Sequence, residues 1–280
     1  MLLTLFVALF GGYLLFQGYR YRRRRQFDAF LETAECDDTQ RNALGKTLHY
    51  PALEPEERRR AERLMLRFYH TLEFRGVDTE VDGEMRTVIS FYAALLCLHR
   101  GTQWLAHVHT VWLYRDGFLV DEQYERDGIV SSGTFELDGQ SSPDAVVLSW
   151  ADVAYETFTP TPDNVVIHEF AHAVDFADGE ADGVPPMHRD QAEAWQRLLE
   201  TVFDPFAARV DEGVPLEIYE GFGEYAAQNE AEFFAVASER FYQVPGWLHA
   251  DFPELFAFLV DFYGTDPRRW GVEAPFMVES

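Results

Sequence analysis

The chain has 280 residues, with 48 acidic against 23 basic side chains and a net charge of −25 at pH 7. Arg20 and Arg22 to Arg25 stand among 25 residues without an acid, so the remaining 255 carry 18 basic against 48 acidic side chains, a net −30. Such a body repels phosphate backbones, which argues against direct nucleic-acid binding. Its 47% apolar and 15% aromatic content argues against disorder and fits one larger domain or two close lobes. Cys36 and Cys97 are the only cysteines, too few for a disulfide framework or a four-cysteine zinc module.

Leu2 to Phe16 carry no charge, and the neutral flank continues to Tyr19 before the arginines begin. This is about the minimum for a transmembrane helix, which needs roughly 17 to 25 residues. A cleaved signal peptide has its positive charge before the apolar run, the reverse of the order here. Arginines after the run predict a single-pass anchor with the acidic body in the cytoplasm; the alternative is a buried or loosely attached N-terminal helix on a cytoplasmic protein.

A short helix is expected near Phe27 to Glu35, then a linker with Pro51 and Pro55. Pro55 and the following acids start a helix on which Leu64, Phe68 and Leu72 recur at helical spacing. Met85 to His99 read as a buried helix. The segments HVHTVWLY, FLVDEQY and AVVLSW are β-rich and separated by Gly117, Gly128, Gly133 and Gly139. Helices return at Val165 to Phe176, Gln191 to Val202, Asn229 to Tyr242 and Pro253 to Tyr263. Helices, a small sheet and more helices predict an α+β fold.

The chemistry concentrates in His168-Glu169-Phe170-Ala171-His172, an HExxH motif on an apolar helix. Four-residue spacing puts both imidazoles on one face, able to hold one metal ion, with Glu169 in reach of a water. Two nitrogens, a third protein ligand and a water complete an open zinc site. Two histidines and a glutamate in a core helix are costly without such a partner.

Two places compete for the third ligand. In the pattern HExxHxxGxxH, positions 175 and 178 would be glycine and histidine; they are Asp175 and Asp178, and without the glycine turn Asp178 is a poor candidate. The other place is the helix from Asn229 to Glu239, where Glu232 and Glu239 lie seven residues apart on one face among Phe233, Phe234 and Val236. Glu230 there suits a solvated surface. His107 and His109 share one face of a strand and could form a metal pair, but their separation from HExxH favours packing, and His188 follows ADGVPP near the expected cleft.

HEFAHAVD, ADGVPP, and Tyr225 seven residues before the glutamate of NEAEFFAVASERFY resemble the Mlc titration factor A family of bacterial zinc peptidases. VVLSW at Val146 to Trp150 and FYGTDP extend the likeness over most of residues 27 to 267. The NEAEFF segment is also similar to the catalytic domain of anthrax lethal factor, although an acid of that pattern is replaced here by Val236. The resemblance implies a zincin-like fold and one Zn2+ per chain, bound by His168, His172 and Glu232. It also implies Glu169 as general base and Tyr225 as an assisting group. Glu239 and Asp175 are candidates to orient the histidines.

These readings predict residues 1–25 as a membrane anchor with a basic collar, 26–60 as helix and linker, and 61–280 as a zinc metallopeptidase domain. Peptide or protein substrates are expected, with an aminopeptidase one form of the activity and the bacterial inner membrane the address. The alternative is a regulatory protein that sequesters an Mlc-like transcriptional repressor, with weak or incidental peptidase activity. AVVLSW is a candidate edge for an extended peptide, or a purely structural strand.

Overall fold

The computed structural model describes residues 2–116 and 144–275, with side chains from Phe10 onward. The expected strand FLVDEQY and the turns at Gly117, Gly128, Gly133 and Gly139 lie outside the described residues.

Helix α1 (Leu2–Thr33) runs unbroken through the arginines, so the stretch expected near Phe27 is its last part. That end docks on the body: Leu31 is buried, and Arg67 Nη2 donates to Asp28 Oδ1 at 2.6 Å. The expected membrane span is not found, since among the described residues no helix is long and apolar enough to cross a membrane. Gly11, Gly12 and Tyr13 interrupt the apolar run, five arginines follow on the same helix, and the side chains of residues 1–9 are outside those described.

The linker contains a helix of its own, α2 (Asp38–Lys46), started by a reciprocal cap between Asp37 and Gln40. Then come α3 (Pro55–Thr71), β1 (Glu73–Val77), α4 (Gly83–Leu96) and β2 (Thr110–Tyr114). Strand β3 (Ala145–Ser149) leads into α5 (Trp150–Phe158), capped by Ser149. The three strands pair in parallel in the order β1-β2-β3. Parallel pairing demands a crossover, and α4 supplies it between β1 and β2. Sheet and helices are therefore interleaved here, which the expected order of helices, sheet and helices did not contain. Helix α4 is buried on all sides from Thr87 to Leu96, as an all-round apolar helix must be, and forms the center of the core.

The rest is helical: α6 (Val165–Asp175), α7 (Arg189–Leu198), α8 (Asp204–Asp211), α9 (Glu230–Gln243), α10 (Pro245–Asp251) and α11 (Pro253–Tyr263). Helix α6 packs on α4, β3 and α9, so the HExxH segment sits between the core helix, the sheet and the helix that carries Glu232 and Glu239. A helix-dominant α+β architecture with a small parallel sheet results.

Candidate metal centre

Both helices of the site begin on an asparagine cap. Asn164 Oδ1 accepts the Ile167 N–H at 3.1 Å at the start of α6, and Asn229 Oδ1 accepts the Glu232 N–H at 2.9 Å at the start of α9. The caps fix where each helix begins, and so which side chains face the other helix. His168 is 3% exposed; Glu169, His172 and Glu232 are half-buried.

Three donor atoms converge. His168 Nε2 and His172 Nε2 lie 3.1 Å apart, and each is 3.2 Å from Glu232 Oε2. Ligands about 2.0 to 2.2 Å from a tetrahedral zinc are separated by about this much. Among the described residues, these three are the one group of histidine, cysteine and acidic side chains that could hold a metal.

The protons tell the same story. His168 Nδ1 donates to Glu239 Oε1 at 2.7 Å, which leaves a lone pair on Nε2. A lone pair facing a second imidazole nitrogen and a carboxylate oxygen calls for a cation between them. Burial would lower the His168 pKa, but Glu232 and Glu239 hold it well above the ordinary histidine range, so this negatively charged surround favours positive charge at Nε2, whether a proton or a metal in its place. Burial would likewise raise Glu232, yet His168 and His172 hold it down at about 2. The residues present thus fit a divalent metal.

Glu169 is raised above the ordinary glutamate value, by burial first and then by Glu232 and Glu239, against the two histidines. A carboxylate moved in that direction is a better proton acceptor near neutral pH. Tyr225 lies on the short turn Glu224–Ala227, its ring centroid 6.0 Å from that of His168. Glu239 Oε2 also accepts the Asn164 N–H at 2.7 Å, so one buried glutamate orients His168 and secures the start of its helix. Asp175 meets a different partner: its Oδ2 accepts the Gly183 N–H at 2.8 Å, and burial pushes its pKa up to about 6.

The remaining candidates lie elsewhere. Asp178 is exposed and accepts the Glu180 N–H. His107 packs its ring 5.8 Å from Phe176, and His109 and His188 are exposed. Glu230 is half-buried beside Asp204 and Asp182 and is not among the three donors. Cys36 and Cys97 are buried free thiols pushed up to about 12 by that burial, unsuited to act as nucleophiles. Sequence reasoning missed Glu156 on α5, whose carboxylate accepts the Val165 N–H at the start of α6. No spacing rule points to it, because the short connection between α5 and α6 that brings the carboxylate back to Val165 carries no motif.

Two histidines one turn apart on one helix and a glutamate from a second helix, with a further carboxylate between the histidines outside the three donors, are the arrangement expected of a metallopeptidase. Comparison with known proteins carries this further: the chain belongs to the glucose-regulated metallo-peptidase M90 family, whose profile matches residues 19–264. Among curated relatives, the proteins named Mlc titration factor A from Yersinia pestis (strain Pestoides F) and Yersinia pseudotuberculosis serotype O:1b (strain IP 31758) are similar to it. Each is 34% identical over 197 residues, covering 66% of this chain and 70% of the relative.

Proposed function

We propose that this metallopeptidase is zinc-dependent, with His168, His172 and Glu232 as metal ligands, Glu169 as general base and Tyr225 as an assisting hydrogen-bond donor. The convergence of the three donor atoms at 3.1 to 3.2 Å beside Glu169 carries the reading. A bound zinc supplies Lewis acidity, acidifying water and polarising a carbonyl. Glu169 takes the proton released by the attacking water and passes it to the leaving amine. Tyr225 donates to the oxygen on which negative charge develops. Glu239 keeps the Nδ1 proton of His168 in place, so the ring presents Nε2 to the metal.

An extended peptide is the substrate best suited to the surroundings. Strand β3 packs on α6, and among the described residues its outer edge has no strand partner. An edge of this kind holds a backbone without reading its side chains. A peptide library incubated with and without a chelator tests the function, and free against blocked N-termini separate aminopeptidase action from internal cleavage. Metal-dependent cleavage is expected, and a chelator-insensitive or absent cleavage would count against it.

The name of the Yersinia relatives favours a second reading, in which the protein binds an Mlc-like repressor and peptidase activity is weak or incidental. Repressor binding that survives Glu169→Gln would separate that function from catalysis. Placement at the bacterial inner membrane, with the body in the cytoplasm, is proposed from the order of apolar residues before arginines. Digestion of the body from outside in spheroplasts would overturn it.

A further inference from the structure

Helices α6 and α9 are far apart in sequence, so the distance between His172 and Glu232 must be set by contacts between them. One is the Glu239 bond at the start of α6. At the other end of α6, the loop containing ADGVPP returns to the start of α9 at Gly183. Asp175, the fully buried last residue of α6, accepts the Gly183 N–H at 2.8 Å. The Gly183 carbonyl accepts the Trp195 Nε1–H at 2.7 Å. Trp195, buried on α7, stacks with a centroid separation of 6.0 Å on Phe233, the neighbour of Glu232.

Gly183 itself touches the first turn of α9. A Cβ at this position would come within 2.3 Å of the Glu230 carbonyl carbon, 2.5 Å of its oxygen and 2.6 Å of the Ala231 nitrogen. Its φ of +78° also lies in the left-handed region that side chains other than glycine rarely adopt. The loop backbone is therefore held from α6 and α7 while it abuts the turn that carries Glu232.

We propose that Gly183, fastened by Asp175 and Trp195, is the spacer that sets the separation of α6 and α9 and so places Glu232 against His168 and His172. Asp175 and Gly183 are positioning residues and touch no substrate. The inference rests on the proposed metal centre.

The test measures Zn2+ affinity by competition with a chromophoric chelator, together with the Co2+ absorption spectrum, for the full chain and three variants. Gly183→Ala and Asp175→Ala are expected to weaken affinity about 10- to 100-fold and to shift the Co2+ spectrum. Asp175→Asn keeps an acceptor for the Gly183 N–H and should retain most of the affinity. As a control for plain destabilisation, Met65→Ala opens a cavity on α3, which carries no residue of the centre. It should lower the thermal midpoint with affinity unchanged. Asp175→Ala alone decides if Gly183→Ala does not fold. Variants that bind Zn2+ as tightly as the parent overturn the spacer and leave the centre standing. A parent that binds no Zn2+ overturns both.

Discussion

Glu239 Oε1 stands 2.7 Å from His168 Nδ1, and this contact decides which nitrogen of the imidazole faces His172 and Glu232. Glu239 is buried, and its second oxygen is already committed to the Asn164 N–H. Removal of the carboxylate frees the ring to rotate or change tautomer and loosens the start of α6. Glu239→Ala should therefore weaken metal affinity about 10- to 100-fold, with Glu239→Gln between it and the parent. Chelator competition measures this, and unchanged affinity in Glu239→Ala would reduce the contact to a structural one.

Glu156 predicts a pH dependence of stability. Burial first, and Glu239 next, hold its pKa at about 8 against an ordinary 4.5, while the Val165 N–H acts the other way. The folded state thus binds more protons than the unfolded state between pH 4.5 and 8. The stability this contributes is present in full below 4.5 and lost as pH rises through 8. Glu156→Gln keeps an acceptor for Val165 and removes the ionisation. Its stability relative to the parent should rise from pH 5 to pH 9 in chelator-treated samples, as thermal midpoints across that range will show.

Tyr225→Phe removes one hydroxyl and keeps the ring that packs beside His168. If the hydroxyl donates to developing negative charge, kcat should fall about 10²- to 10³-fold with KM and metal content little changed. A fall in metal content would instead make Tyr225 a support of the centre. Steady-state kinetics with metal analysis distinguish the two.

The HExxH helix could be read from the chain because all its signals are local: spacing, apolar flanks and a cap. Glu232 was harder. The sequence shows a glutamate among phenylalanines but not which helix it meets, and resemblance chose between it and Asp178. Strand β1 was missed because its five residues alternate weakly, with only Phe74 and Val77 partly buried. The parallel sheet was hidden with it, since the crossover through α4 appears only once β1 is known. The Glu156 to Val165 and Asp175 to Gly183 contacts are local, but the short connections that close them carry no motif saying which backbone N–H each carboxylate meets.

Glu57 gives a prediction about stability away from the site. On α3, it accepts from His99 Nε2 at 3.0 Å, Trp270 Nε1 at 3.0 Å and Arg269, with its side chain 10% exposed. It thereby ties the C-terminal turn Pro267–Trp270 to the helical core. Glu57→Ala leaves a buried indole N–H without its partner and should cost about 2 to 3 kcal/mol. Urea unfolding measures it, and a loss under about 0.5 kcal/mol would show that water replaces the carboxylate.

In the proposed function, Glu169 acts as the base on a metal held by His168, His172 and Glu232. The most direct measurement is the rate of peptide cleavage by Glu169→Gln at a metal content equal to the parent's. A general base contributes about 10²- to 10⁴-fold, so the rate should fall by at least the lower figure while the metal stays bound. Cleavage at the parent's rate by the metal-loaded variant would contradict the claim.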